Sequence, residues 1–189
     1  MNIDSLIGRL ATMVNISPAF REAIYANLKP EYYKARQIIH STGQIENRLW
    51  FIETGFVRTY YFDHTGKEHT LKFYSDKEIL FSYQGFYQEG TDYYIEVVSP
   101  SELLSLSYER FASFIQSFTE ARIITQIFIR QYQHQEIFKN RLMNLPAEER
   151  YYQFRKAHPE IFKKASARVI ASYLNMTREN LSRLISRDL

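Results

Sequence analysis

The sequence contains no cysteine, and this absence removes several kinds of site at once. Disulfides, thiolate metal sites, iron–sulfur clusters and cysteine nucleophiles are all excluded. Long apolar runs are missing too, since no stretch approaches the ~20 residues needed to span a bilayer. The first residues are amphipathic and carry Asp4 and Arg9, which is unlike a signal peptide. We therefore expect a soluble, cytoplasmic protein.

Patterns typical of catalysis and of metal binding are also absent. The histidines show no metal-ligand spacing; they are His40, His64, His69, His134 and His158. We expect His64 and His69 to be exposed, because they lie around a predicted hairpin. No nucleophile–base arrangement, phosphate-cradling glycine loop or carboxylate pair is visible, and no axial haem ligand can be identified. We expect neither enzymatic activity nor a metal site.

Aromatic residues, in contrast, are abundant, with 15 Tyr and 14 Phe among 189 residues. The length allows one large domain or two small ones, each with its own core. The net charge is only +3, yet residues 163–189 hold six basic and two acidic side chains. A basic end on a nearly neutral body suggests a polyanion as a local partner. A solubilising tail is the alternative.

The N-terminal part of the chain predicts helices followed by a sheet. Residues 3–28 form one or two amphipathic helices, with Ser17-Pro18 as a helix start and Pro30 as the end. Segments rich in aromatic and β-branched residues follow; they are 37–39, 49–52, 56–62, 67–74, 93–98 and 103–106. Turn signals such as those at 53–55 and 99–100 separate them. This spacing predicts an antiparallel barrel or jelly roll.

Two further segments are predicted to pack around this sheet. Residues 80–92 interrupt the strands as a short helix and loop, and residues 108–118 form another short helix. A long helix follows, with a repeating seam formed by Ile123, Ile124, Ile127, Gln131, His134, Phe138, Leu142 and Leu145. The seam favours dimerisation, and packing on its own barrel is the alternative. His134 either senses pH or, more simply, sets the register of the seam.

The end of the chain has the pattern of a helix-turn-helix. A break at 144–146 and a helix at 147–157 precede residues 167–186, in which Thr177 is placed to cap the second helix. Apolar residues share one face of that helix, and the other face carries Arg178, Glu179, Ser182 and Arg183. Such a polar face suits the reading of base edges in a major groove. An ordinary amphipathic hairpin with a solvated face is the alternative.

Together these elements resemble the Crp/Fnr family of cyclic-AMP-receptor-like transcription regulators. The best matches are WFIETGFVR at residues 50–58 and MTRENLSR at 176–183, and the terminal LSRLISRDL resembles the compact branch common in Bacteroidetes-type bacteria. The resemblance implies base contacts by Arg178, Glu179 and Arg183. It also implies a homodimer, double-stranded DNA with a palindromic operator, a small-molecule effector and RNA polymerase as a further partner. The expected domains are an effector domain at 1–118, a dimerisation helix at 119–145 and a DNA-binding domain at 146–189.

The expected nucleotide pocket departs from the family pattern. Ser82 replaces the glutamate that would accept from the ribose, Asp92 falls near the arginine position, and no lysine or arginine occurs between Lys77 and Arg110. A buried cyclic phosphate would lack its counter-charge, which costs several kcal/mol, so we expect no cyclic nucleotide and identify no cofactor. A neutral ligand in an aromatic pocket remains an alternative to simple core packing; the pocket candidates are Phe81, Ser82, Tyr83, Phe86, Asp92 and Tyr93.

The family's wing is also missing after the second helix. Leu189 follows that helix within a few residues, so we expect phosphate contacts from Lys163, Lys164, Arg168 and Arg187 instead. The predicted fold class is α+β, with an N-terminal β-roll or jelly roll, a long dimerisation helix and a C-terminal helix-turn-helix. The predicted function is a bacterial, homodimeric, sequence-specific DNA-binding transcription regulator. The alternative is a ligand-binding sensor whose helical tail docks a protein partner.

Overall fold

The computed structural model describes residues 3–188, and two helices come first in this part of the chain. They are α1 (Ile3–Ala11) and α2 (Pro18–Asn27). The Ser17 hydroxyl oxygen accepts a hydrogen bond from the backbone N–H of Phe20 at 3.3 Å, which confirms the predicted helix start. Phe20 and Ile24 are buried in a core that both helices share with the sheet.

The strands form one antiparallel, jelly-roll-like sheet. They are β1 (Lys29–Tyr33), β2 (Gln37–His40), β3 (Arg48–Phe62), β4 (Glu68–Tyr74), β5 (Ile79–Leu80) and β6 (Tyr94–Ser107). The order is β1-β6-β3-β4, while β2 pairs with β6 and β5 pairs with β3. The mixed helix and sheet architecture predicted from the sequence is therefore confirmed, and we call this sheet the β-roll.

Strand β3 is longer than the sequence predicts, because a bulge bends it without ending it. Residues 49–52 and 56–62 belong to one strand that continues through Gly55. Gly55 has a φ of 127°, and a Cβ at this position would lie 1.9 Å from Ser101 Oγ. Glycine alone fits there, and the register with β6 shifts on both sides of it. The turn predicted at 53–55 is wrong.

The prediction for β6 needs the same correction as the prediction for β3. Strands β1 and β5 are not predicted from the sequence at all. Residues 93–98 and 103–106 belong almost entirely to one strand that passes through Pro100, which has no partner in the register of the described strands. Proline is tolerated at such a bulge and also at a sheet edge. Strand β1 pairs with β6 alone and therefore lies at the edge of the sheet, which explains why it can contain Pro30.

The remaining helices follow the prediction closely. They are α3 (Tyr83–Phe86), α4 (Tyr108–Ser117), α5 (Thr119–Met143), α6 (Ala147–Ala157), α7 (Ile161–Lys164), α8 (Ala167–Tyr173) and α9 (Arg178–Arg187). Only α7 is unpredicted, since it is a single short turn. None of the helices within residues 3–188 is both long and apolar enough to cross a membrane.

Aromatic stacking joins the C-terminal helices to the β-roll. Phe73 of β4 lies at the centre, stacked on Phe56 with ring centroids 5.5 Å apart. On its other side it packs against Tyr173 of α8 at 5.2 Å and Phe154 of α6 at 6.4 Å. Such pairs contribute about 0.5–1.5 kcal/mol each beyond their buried area. The two halves of the chain therefore share one core.

Candidate functional site

Helices α8 and α9 are joined by a tight connection that the sequence explains. Asn175 adopts a φ of 47°, a left-handed conformation that asparagine tolerates better than most residues. The N–H of Met176 then donates to the carbonyl of Ala171 at 3.0 Å. The Thr177 hydroxyl accepts from the N–H of Asn180 at 3.1 Å, so the predicted cap of α9 is confirmed.

One face of α9 is exposed and polar, and the opposite face is buried. Leu181 and Leu184 are almost fully buried in the core formed with α6 and α8. The predicted base-reading residues all lie on the exposed side; they are Thr177, Arg178, Glu179, Ser182 and Arg183, with Arg187 at the end of the helix. Among residues 3–188, no carboxylate lies within ion-pair distance of Arg178, Arg183 or Arg187. These charges are free to meet a ligand.

The basic side chains before α9 are placed differently, because the β-roll supplies them with acids. Lys164 Nζ lies 2.7 Å from Asp76 Oδ2, and Arg168 Nη2 lies 3.6 Å from Glu68 Oε2. Of the predicted phosphate-contacting residues, Lys164 and Arg168 are paired with the β-roll, whereas the exposed Lys163 of α7 and Arg187 of α9 have no acidic partner among residues 3–188.

Helix α8 is held on strand β4 by polar contacts as well as by aromatic packing. The Thr70 N–H donates to Ser172 Oγ at 3.2 Å, and the two hydroxyls lie 2.5 Å apart. Lys67 Nζ donates to Asn175 Oδ1 at 3.2 Å. The orientation of the α8–α9 pair on the β-roll is thus fixed at several points.

A cavity of about 170 Å³ opens inside the β-roll next to helix α5, and we call it the roll cavity. Its lining is formed by Thr59, Leu71, Lys72, Tyr74, Phe81, Gln84, Asp92, Tyr93, Tyr132 and Glu136. Of the six pocket candidates, Phe81, Asp92 and Tyr93 line this space.

The other three pocket candidates have packing or capping contacts outside the roll cavity. Ser82 caps α3, where its hydroxyl accepts from the Gly85 N–H at 3.0 Å and lies 2.6 Å from the Tyr93 hydroxyl. The Tyr83 ring stacks on Tyr132, and Phe86 packs into the core under α4. Ser82, Tyr83 and Phe86 contribute to the local fold and do not line the roll cavity, and their role as ligand contacts stays a prediction.

The roll cavity contains a cation that the sequence argument missed. Lys72 of β4 lies 2.9 Å from Glu136 Oε1 of α5 and 3.6 Å from the centroid of the Tyr132 ring. Lys72 precedes the segment between Lys77 and Arg110, in which no lysine or arginine occurs. A usable signal existed, because Lys72 precedes Tyr74 by two residues and alternate strand residues share a face.

The predicted dimer seam of α5 divides between two environments. Ile123, Gln131 and His134 are exposed and Ile127 is partly exposed, whereas Phe138 turns inward and packs against His158 at 5.8 Å. Ile137, 48% exposed, occupies the outer face instead. Phe138 therefore does not share the outer face of α5 with the other predicted seam residues, and the dimer seam itself stays a prediction.

Two histidines form internal contacts of the β-roll. His40 is buried, with Nδ1 3.2 Å from Glu46 Oε2 and Nε2 2.6 Å from Thr91 Oγ1. Burial raises the pKa of Glu46 to about 7. The His69 side chain is 17% exposed and lies 2.7 Å from Asp63 Oδ2, so the expected exposure is wrong for His69, whereas it is confirmed for His64. Both contacts hold loops of the β-roll in place, and Glu46, His40 and Thr91 are all buried from solvent.

The fold combines a jelly-roll-like antiparallel sheet with a set of C-terminal helices. A family model described as the cyclic nucleotide-binding domain matches residues 30–118, which run from β1 to the end of α4. No curated protein matches the chain in sequence.

Several solved structures share the fold of this chain at low sequence identity. FixK2 from Bradyrhizobium japonicum has a TM-score of 0.75 at 14% identity, covering 85% of this chain and 83% of that one. A protein described as a Crp/Fnr-family transcriptional regulator from Eubacterium rectale has a TM-score of 0.69 at 19% identity, covering 92% and 83%. The c-di-GMP responsive regulator CLP of Xanthomonas campestris has a TM-score of 0.67 at 18% identity, covering 88% of each chain.

Proposed function

We propose that this chain is a homodimeric, sequence-specific DNA-binding transcription regulator in which α8 and α9 form a helix-turn-helix. The observation that carries the proposal is the exposed face of α9, where Arg178 and Arg183 have no acidic partner among the described residues. An arginine donates well to guanine acceptors, and Glu179 is placed to accept from a cytosine amino group. The helix begins at Thr177 with the capped, exposed N-terminus that enters a major groove in such motifs.

Dimerisation through α5 would present two such helices together. Positions at alternating steps of four and three residues lie on the outer face of α5. They are Ile123, Ile127, Arg130, His134 and Ile137, and Arg130 interrupts this series. A two-fold axis along this face would pair like residues with each other. Two copies of α9 about 34 Å apart would then read a palindromic operator. Ile137→Asp is expected to convert the dimer to a monomer in sedimentation experiments, whereas the exposed Arg110→Asp is not.

Selection of bound DNA from a random pool, at fixed salt, tests the proposal directly. We expect a two-fold symmetric consensus whose affinity falls steeply with salt, because each neutralised phosphate releases counterions. Lys156→Ala, an exposed change on α6, is the control for nonspecific charge loss. A chain without DNA affinity at low salt would instead support a sensor whose tail docks a protein. That alternative is consistent with a family match that ends at residue 118.

We further propose that the effector is not a cyclic nucleotide. The roll cavity holds one cation, Lys72, and it is already paired with Glu136, while Asp92 adds a second acid to the lining. A phosphate entering this space would meet more negative than positive charge. Calorimetry with cyclic AMP and cyclic GMP is expected to show no binding, and micromolar affinity for either would refute this part.

A further inference from the structure

A second and larger cavity, of about 290 Å³, lies where β4, the second half of α5 and the C-terminal helices meet. We call it the junction cavity. Much of its wall is apolar and aromatic, and includes Phe73, Phe138, Phe154 and Tyr173. Small-molecule sites combine such walls with a few placed polar groups and begin near about 300 Å³. The junction cavity has the dimensions and the lining of a binding site.

Lys139 of α5 supplies the polar group that distinguishes this wall. Its ammonium donates to the carbonyl of Tyr173 and, at 3.4 Å, to that of Thr70. It also lies 3.2 Å from the centroid of the Tyr173 ring. In the part of the chain that the structure describes, no carboxylate lies within ion-pair distance of this ammonium. Lys139 is thus a partly buried cation without an anion.

The other lysine and the two acids that line the junction cavity already have partners. Lys72 is paired with Glu136, Glu160 lies 3.5 Å from His158, and Glu78 accepts from the N–H of Ser75. The charged or titratable side chains that surround Lys139 are Lys72 and Glu78 of the β-roll, His134 and Glu136 of α5, Arg150 of α6, His158 and Glu160 before α7, and Tyr173 of α8. An anion that entered would therefore find Lys139 as its available counter-charge.

We propose that the junction cavity binds an aromatic monocarboxylate, with its rings among Phe73, Phe138 and Phe154 and its carboxylate on the Lys139 ammonium. This site goes beyond the proposed function, and it differs from the roll cavity inside the sheet. Aromatic rings favour aromatic walls through edge and stacking contacts. Hydrogen bonds between charged groups are roughly twice as strong as neutral ones, so the carboxylate adds to the affinity that the rings supply.

Binding of a carboxylate to Lys139 is expected to be accompanied by measurable proton uptake. Burial and the neighbouring Arg150 lower the pKa of Lys139 to about 7. Near pH 8 the side chain is therefore mostly neutral in the free protein. A bound carboxylate favours the charged form and raises the pKa, so binding near that pH draws a proton from the buffer.

Calorimetry with naphthaleneacetate and its neutral match, naphthaleneacetamide, tests the proposal on the full chain without DNA. The two probes share their rings and differ in charge. Near pH 6, where Lys139 is charged, we expect naphthaleneacetate to bind about tenfold more tightly than the amide, which corresponds to one charged hydrogen bond. Titrations near pH 8 in buffers of different ionisation enthalpy are expected to show proton uptake with the acid alone.

Lys139→Met removes the charge and keeps the length of the side chain, and Lys156→Met on the surface of α6 is its matched control. In Lys139→Met we expect the two probes to bind equally well, without proton uptake, while Lys156→Met behaves as the unmodified chain. The proposal is overturned if neither probe binds, if both bind the unmodified chain alike, or if the preference survives in Lys139→Met. None of these outcomes depends on DNA binding.

Discussion

The β-roll and helix α9 use arginine in opposite ways. Arg58 of β3 is 2% exposed and lies 2.7 Å from Glu68 and 2.6 Å from Glu96. Arg178 and Arg183 of α9 are exposed and have no acidic partner among residues 3–188. A charge taken out of water must be paired, or it costs several kcal/mol, whereas a charge on the surface places no such demand on the fold.

This difference shows which charges the fold needs and which are available for binding. Removing a buried partner leaves the remaining charges uncompensated, so such a change acts on stability. Removing a free surface arginine leaves the core unchanged, so its effect appears only when a ligand is bound. Glu68 connects the two regions, because it pairs with Arg58 on one side and lies 3.6 Å from Arg168 on the other.

Arg58→Met tests the buried side of the comparison and has the largest expected effect. Glu68 and Glu96 would remain in place without their cation, so we expect the free energy of unfolding to fall by about 3–5 kcal/mol. Urea unfolding measures the change, with the exposed Arg110→Met as control. Adding Glu68→Gln and Glu96→Gln should restore part of the loss, and a fall of less than about 1 kcal/mol would contradict the role given to Arg58.

Leu181→Ala tests the buried face of α9 in the same assay. Leu181 is completely buried among the C-terminal helices, so truncation leaves a cavity there. We expect a loss of about 2–5 kcal/mol in the free energy of unfolding. Ser182→Ala, the next residue on the exposed face, is the control and should have little effect. Equal effects of the two changes would show that α9 does not bury the face described.

Arg178→Ala is expected to affect DNA binding and not stability, which is the opposite of the effect expected for Arg58→Met. Stability should remain within about 0.5 kcal/mol of the unmodified chain, because the side chain is exposed and unpaired. Affinity for the selected operator should fall by about 1–3 kcal/mol, with relaxed specificity at one base position. Fluorescence anisotropy with consensus and mismatched operators measures both quantities. Unchanged affinity would exclude Arg178 from base reading.

Lys164→Met is expected to change the free energy of unfolding only slightly, and it refines the comparison. Its partner Asp76 lies 2.7 Å away, but both side chains are partly in solvent. Exposed pairs contribute about 0–1 kcal/mol, so urea unfolding should change by no more than that. A loss comparable with that of Arg58→Met would mean that pairing rather than burial determines the energetics.

Much of the helical half was predictable, because its signals are local. The Ser17 and Thr177 caps, the break before Pro146 and the alternation of faces on α9 depend on neighbours within a turn or two. The sheet was less predictable. In the sequence, Gly55 is typical of a turn. In the structure, Ser101 of another strand lies against Gly55, which forms a bulge in a continuous strand.

By itself the sequence determined the succession of helices, sheet and C-terminal helices, the polar face of α9 and the absence of cysteine chemistry, since each follows from residue type and short-range spacing. The tertiary structure alone decided that Phe138 turns inward while Ile137 faces out, and that Lys72 and Lys139 line cavities. It also decided which arginines are paired. The reason is that burial and charge pairing bring together residues far apart in the chain, such as Arg58 and Glu96. Local sequence patterns do not predict such contacts.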